Sequence, residues 1–271
     1  MALIARNISV RFGSVQILRN VDFTAEAGSF SAIIGPNGSG KTTLLRAIIG
    51  EIPYEGRVSI NGQDTRDANS VLLAKQRAVL AQSTQLAFPF TVFEVVRLGL
   101  TAGVATGDPS KTAELPFKAL ARVGLEGFEG RFYAELSGGE KQRVQLARVL
   151  AQIWLPVLNG QPRWLFLDEP VSSLDIGHQL MVMEIAADYA KAGGGVVAVM
   201  HDLNLTAMFA QNVMLLADGH CLASGAPGEV LTNTTLSTAY GCSLAIKTAP
   251  TDGAPWLLPQ AAQLTQHRTP S

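Results

Sequence analysis

The stretch Gly35-Pro36-Asn37-Gly38-Ser39-Gly40-Lys41-Thr42-Thr43 fits the pattern G-x-x-x-x-G-K-[ST], and its chemistry is phosphate binding. Glycines let successive backbone N–H groups turn inward around phosphate oxygens. A helix starting there adds the positive end of its dipole. In this pattern Lys41 reaches the β- and γ-phosphates of a nucleotide, and Thr42 offers its hydroxyl to Mg²⁺. A nucleotide site also needs a carboxylate for the metal. Asp168-Glu169 follows the apolar run Trp164 to Leu167, at a strand end where a parallel sheet places its ligand. Asp168 suits the carboxylate that orients Mg²⁺, and Glu169 suits a general base for an attacking water. Asp-Glu-Pro alone could be an acidic turn; the phosphate loop gives it meaning.

A second stretch has anion chemistry. Leu136-Ser137-Gly138-Gly139-Glu140 satisfies S-x-x-E, a capping box, before a helical pattern from Lys141 to Ala151. The box alone is an ordinary helix start. Gly138 and Gly139 bare the backbone N–H groups of that start and make it a second anion site.

Elements must position these groups. Phe30 to Ile34 reads as a buried strand entering the phosphate loop, and Thr43 to Ile49 as a helix leaving it, with Gly50 as its stop. Leu3 to Val10 and Ile17 to Phe23 alternate as strands of a peripheral antiparallel sheet. Gly56 to Ile60 adds a strand before the hairpin turn Asn61-Gly62. Ala74 to Gln82 leads into an apolar strand ending at Gln82. Residues 84–158 then turn helical, with Thr91 and Glu94 capping a helix Val92 to Leu100 and loops at 103–109 and 124–130. A parallel core resumes with Trp164 to Leu167 and Val196 to Met200, joined through an amphipathic helix Gln179 to Lys191. Asp218-Gly219 turns a hairpin, and two short helices follow, Gly228 to Thr232 and Thr235 to Tyr240. From Pro250 the chain is Pro-, Gln- and Thr-rich and is expected to be irregular. The reading is an α/β fold: a mixed core sheet, an antiparallel N-terminal β subdomain (within 1–83), and an inserted helical subdomain (84–158). Residues 1–245 form one domain, with the core resuming at 159, and 246–271 form a tail.

The totals exclude several classes. The chain has 271 residues, 47% hydrophobic, enough for a large core. Lys and Arg number 21 against 22 Asp and Glu, so no basic excess argues for nucleic acid. Cys221 and Cys242 lack metal-site spacing and read as reduced thiols. No apolar run reaches spanning length, and Met1 to Arg6 lacks a signal-peptide layout. A membrane role is therefore expected to come through a partner.

As a set, the phosphate loop, Gln82, Leu-Ser-Gly-Gly-Glu, Asp168-Glu169, Ser173-Leu174-Asp175 and His201 resemble the ATPase subunit of an ABC transporter, a P-loop NTPase, in the family's order. The resemblance covers about Leu3 to Tyr240. It implies that two copies pack head to tail. Each ATP then lies between one copy's phosphate loop and the other's signature, Ser137 to Glu140. It also implies roles for four further residues. Phe12 stacks on adenine. Gln82 contacts Mg²⁺ and the water and links to the helical subdomain. Asp175 meets the opposite copy, though its residue type also fits a helix cap. His201 senses the γ-phosphate. Val171 stands where the family often has Thr, and Lys141 where Gln is common.

Within that family the chain is similar to importer ATPases of the iron-complex and cobalamin type, and more closely to the hemin-import ATPases. The likeness lies in Glu135 to Trp154, the long connection Leu155 to Arg163, and Leu257-Leu258-Pro259-Gln260. Nothing in the chemistry of these residues specifies heme, and His220-Cys221 falls in a hairpin. The resemblance implies a polytopic membrane permease dimer as partner, indirectly a periplasmic heme-binding protein, and a place at the cytoplasmic face of the inner membrane. Phe88-Pro89-Phe90-Thr91-Val92 reads equally as core packing or as the groove for the permease's coupling helix. Two other readings stay open: an iron-siderophore or cobalamin importer, and a soluble ABC ATPase of DNA repair or translation. The latter usually carries two cassettes or a long coiled coil. A nucleotide-regulated scaffold without hydrolysis is disfavoured by Glu169 and His201.

Overall fold

The computed structural model describes residues 1–82, 88–102, 112–249 and 258–261; the loop expected at 103–109 and most of the tail lie outside them. The first two strands run antiparallel, β1 (Ala2–Phe12) and β2 (Val15–Glu26). Both extend beyond their alternating runs, because backbone pairing continues to the turn at Gly13. β3 (Phe30–Ile34) is buried at every residue and feeds the phosphate loop, from which α1 (Lys41–Ile48) departs. β4 (Glu55–Ile60) turns through Asn61 and Gly62, φ 53° and 83°, into β5 (Gln63–Asp64). Two successive positive φ values are what a two-residue hairpin of this hand requires.

One expectation needs correcting. The Asn69 side chain accepts from the Leu72 N–H at 2.8 Å and starts α2 (Ser70–Gln76). The strand is therefore only β6 (Arg77–Leu80), and Gln82 lies beyond its end. A good N-cap outcompetes a weak strand pattern here.

Among the described residues the inserted region holds three helices, α3 (Val92–Leu98), α4 (Leu115–Arg122) and α5 (Gly138–Gln152). Thr91 and Glu94 form the expected capping box, and the last turn of α3 tightens into a 3₁₀ turn, Gly99–Ala102. Arg143 of α5 donates to the carbonyls of Val123 and Gly124, closing the end of α4. The hairpin β7 (Val157–Leu158) and β8 (Gln161–Pro162) precedes β9 (Trp164–Asp168). Then come α6 (Ile176–Lys191), β10 (Gly195–Val199), α7 (Leu203–Phe209), β11 (Asn212–Ala217), β12 (His220–Gly225), α8 (Pro227–Val230) and α9 (Asn233–Tyr240).

The large sheet has the order β12-β11-β3-β10-β9-β6 and is parallel except for β12. A smaller antiparallel sheet has the order β2-β1-β4-β5. Alternation across the large sheet builds two cores. Ile33, Trp164, Phe166, Val197 and Val199 face α1 and the small sheet. Ala32, Ile34, Leu165, Leu167, Val196 and Ala198 face the helices, in an apolar core continuous with Val92, Val95 and Val144 of the inserted region. With both faces covered, these strands carry no polar alternation. Asn61 ties the two sheets together: it accepts from Trp164 Nε1 at 3.1 Å and donates to the Pro162 carbonyl at 2.8 Å.

Close packing at Trp164 makes a stability prediction. A Cβ added to Gly195 would stand 2.3 Å from the Trp164 ring, and Trp164 is fully buried. Gly195→Ala is expected to cost about 1–3 kcal/mol through overpacking. Urea melts of the two proteins measure it, and an unchanged midpoint would show that the ring has room to move.

Candidate functional site

The phosphate loop is shaped by what cannot fit beside it. Gly35 has φ 145°, and a Cβ there would lie 2.0 Å from the Leu216 carbonyl oxygen of β11. Gly40, at φ 102°, caps α1 and would press on Leu18 of β2 at 2.7 Å. Glycine is therefore required at both by backbone conformation and by space. The Lys41 side chain curls back over the loop, and Nζ donates to the carbonyls of Gly35 at 2.9 Å and Pro36 at 3.0 Å. Burial lowers the Lys41 pKa, and the nearby charges of Glu169 and Asp168 oppose that shift. An ammonium has three donors, so one remains for a phosphate oxygen.

Two parallel strands, β3 through its loop and β9 through its end, bring Thr42 and Asp168 together although 126 positions separate them in sequence. The Thr42 hydroxyl donates to Asp168 Oδ1 at 3.1 Å. Asp168 is buried, which raises its pKa; the Thr42 hydrogen bond works the other way. A hydroxyl and a carboxylate are hard oxygen donors. They suit Mg²⁺, which takes few protein ligands and completes its shell with phosphate and water. Among the described residues no group of three or more His, Cys, Asp or Glu could hold a metal by itself.

Glu169 follows directly at φ 51°. A left-handed conformation costs a non-glycine residue about 1–2 kcal/mol, so its surroundings must hold it. Its N–H donates to Val199 of β10, and its carbonyl accepts from Gln142 Nε2 and from Ser172. The carboxylate is gripped on both oxygens. Gln82 Nε2 donates to Oε2 at 2.8 Å, and His201 Nε2 lies 2.6 Å from Oε1. Three chain segments, after β6, β9 and β10, thus converge on one carboxylate.

These groups share an open cleft of about 830 Å³. The phosphate loop and α1 line it with Asn37, Gly38, Gly40, Lys41, Thr42 and Thr43, and the segments after β6, β9 and β10 with Gln82, Glu169 and His201. Ile17 and Ser172 also line it and carry no pattern that would have singled them out in the sequence. Gly35 and Asp168 do not line it but bond residues that do, Lys41 and Thr42. Phe12 stands at the β1–β2 turn, half exposed, and is not among the residues lining the cleft.

The signature lies apart from this cleft. Ser137 Oγ accepts from the Glu140 N–H at 3.3 Å, and Glu140 Oε2 accepts from the Ser137 N–H at 2.8 Å. The Ser137 N–H and hydroxyl hold the Glu140 carboxyl below its usual pKa. Ser137 and Gly138 are exposed, and a Cβ on Gly138 would meet nothing within 4 Å. Gly139 packs toward Ser173 and Leu174, where a Cβ would meet both at 3.3 Å. Asp175 caps α6: its carboxylate accepts from the His178 N–H at 2.9 Å and contacts His178 Nδ1 at 2.8 Å. So one chain presents two glycine-bearing helix starts, α1 inside the cleft and α5 with its first residues facing solvent. The aromatic stretch splits likewise, with Phe88 exposed, Phe90 packed on the core and Val92 buried. None of the described helices is long and apolar enough to cross a membrane.

The chain is similar in sequence and fold to known proteins. The family model described as ABC transporter matches residues 18–172. A hemin import ATP-binding protein HmuV from Jannaschia sp. (strain CCS1) is 61% identical over 97% of this chain and 96% of its own length. The protein of that name from Mesorhizobium japonicum is 53% identical over 95% of this chain and 98% of its own. Among solved structures, a dimeric bacterial ABC transporter cassette superposes with a TM-score of 0.71 at 26% identity, covering 83% of this chain and 98% of that one. The ATP-binding subunit of an ABC transporter superposes with a TM-score of 0.75 at 24% identity, covering 90% and 95%, which shows the fold. On the match of its phosphate loop, core and signature to that model, and on relatives alike over nearly the whole length, the chain belongs to the ABC transporter family.

Proposed function

We propose that the protein is the ATP-hydrolysing subunit of an ABC importer for hemin, working as a head-to-tail homodimer beneath a membrane permease. The observation that carries hydrolysis is the Glu169 carboxylate, held between Gln82 and His201 across the cleft from Lys41 and the Thr42–Asp168 pair. The hemin cargo rests on the relatives, which are named for hemin import and are alike end to end.

The residues act as follows. The backbone N–H groups from Gly35 to Thr43 and the start of α1 hold the phosphates of ATP. Phe12 stacks on the adenine. Lys41 holds the β- and γ-phosphates. Thr42 and Asp168, with Gln82, hold Mg²⁺, which supplies charge neutralisation on the phosphates when bound. Glu169 takes a proton from the attacking water, and His201 orients Glu169 and contacts the γ-phosphate. Ser137, Gly138, Gly139 and Glu140 of the second copy close the site from the other side, and Asp175 lies at that junction. A signature that faces solvent, away from its own cleft, supports this pairing. Loss of the γ-phosphate removes what bridges the two copies, and the dimer reopens.

Residues 84–158 act as the helical subdomain within a single ATPase domain, 1–245, and carry the motion to the permease. The exposed Phe88, with Phe117 half exposed beside Phe93, supports a groove for a coupling helix. The protein is peripheral, on the cytoplasmic face of the inner membrane, and a periplasmic heme-binding protein delivers cargo on the far side. Deleting the gene is expected to abolish growth on hemin as iron source. The parent chain restores it and Glu169→Gln does not. Unimpaired hemin growth of the deletion strain, with growth on a siderophore or uptake of cobalamin lost instead, would move the cargo to that class.

A further inference from the structure

The Glu169 backbone is tied to the signature helix of its own chain. Gln142 lies in the second turn of α5, and its Nε2 donates to the Glu169 carbonyl at 3.1 Å. A carbonyl oxygen demands a donor, which fixes the amide's orientation; its Oε1 is buried without a partner among the described residues. The same carbonyl accepts from the Ser172 N–H at 3.4 Å and the Ser172 hydroxyl at 3.3 Å. From the other side, Gln179 of α6 donates to the carbonyls of Val171 and Leu174 at 3.3 and 3.0 Å. The segment between β9 and α6 is thus held by two amides. One anchors its far end. The other anchors the peptide that sets the direction of the Glu169 side chain.

We propose that Gln142 is a positioning residue that couples the two ATP sites of the dimer. The inference rests on the head-to-tail reading. There, the N-terminus of α5 grips the partner copy's nucleotide, whereas Glu169 serves the nucleotide of its own chain. A helix moves as a rigid rod. A shift of its first turn toward the partner's γ-phosphate therefore reaches the Glu169 carbonyl through one hydrogen bond. Small rotations at a residue with φ 51° shift a carboxylate that Gln82 and His201 hold at the same time, one on each oxygen, and so strain or release that grip. Hydrolysis in one site then depends on whether the other site is filled.

The test uses the full chain with Gln142→Leu, which removes the donor, and Gln142→Glu, which keeps the shape but sets an oxygen against the carbonyl. ATPase rate is measured against ATP concentration, ATP affinity by equilibrium binding without Mg²⁺, and folding by thermal melts. Turnover at saturating ATP is expected to fall by about tenfold or more, with affinity within about twofold of the parent. The Hill coefficient for ATP is expected to fall to about 1. Melting temperature is expected to stay within about 2 °C. Any of four results overturns the coupling: turnover unchanged, cooperativity retained, affinity lost in proportion to rate, or a melting point lowered beyond that margin. Glu169→Gln run alongside separates the two ideas. If it still turns over, the hydrolytic reading falls. If it is inactive while both Gln142 variants behave as parent, only the coupling falls.

Discussion

Glu169→Gln is expected to bind ATP as tightly as the parent chain and to hydrolyse it about 10²- to 10⁴-fold more slowly. The amide keeps the volume and can still bond Gln82 and His201, whose contacts to the carboxylate are 2.8 and 2.6 Å. It cannot take a proton from water. No group of the phosphate loop changes, so affinity holds. On the proposed head-to-tail pairing, blocked hydrolysis leaves the γ-phosphate in place between the two copies, and the variant is expected to accumulate as a dimer in ATP and Mg²⁺. Light scattering after size-exclusion chromatography, with and without ATP, reads that state. Hydrolysis within a few-fold of the parent would remove Glu169 from its role as base. A variant that stays monomeric in ATP would remove the nucleotide from its role as bridge.

Lys41→Met is expected to fail one step earlier, at binding. Lys41 Nζ is buried over the loop with two carbonyl acceptors and a third proton free. Charge-assisted contacts to phosphate are strong where water is excluded, so affinity for ATP is expected to fall by about 100-fold or more. Methionine nearly matches the stem and removes a charge that burial already disfavours. The nucleotide-free variant is therefore expected to melt no lower than the parent. ATP at about 100 times the parent's Kd adds about 2.7 kcal/mol to the parent, and that increment is expected to vanish in the variant. Lys41→Arg is expected to fail as well, because a planar fork does not fit between the Gly35 and Pro36 carbonyls as a compact ammonium does. Retained ATP stabilisation in Lys41→Met would move phosphate binding to the backbone alone.

Much of the site was legible because its chemistry demands fixed residue types at fixed local spacing. A loop whose successive N–H groups turn inward suits glycine at Gly35, Gly38 and Gly40, whose φ values are 145°, 80° and 102°. A helix start that must bare its donors writes Ser137 and Glu140 three residues apart, and the capping box forms as written. Buried parallel strands leave apolar runs, so β3 matches its expected limits and β9 and β10 theirs to within a residue. Element ends were harder. The helix at Ser70–Gln76 begins with one side-chain cap at Asn69, a signal that loses to strand periodicity when read locally.

By itself the sequence determined the local machinery: which loop carries the phosphate-binding pattern, which carboxylates follow a buried strand, which helix start is bare, and the family to which their order belongs. Only the tertiary structure decided what these groups do to one another. The Thr42–Asp168 contact, the grip of Gln82 and His201 on Glu169, and the Gln142 bond to its backbone join segments from separate elements. Such contacts depend on strand order β3-β10-β9-β6, with its crossovers, and strand order leaves no local pattern in the chain. Sequence periodicity reports burial of a face. Which face meets which, and so which polar ends meet over the cleft, is settled only when both sides of the sheet are packed.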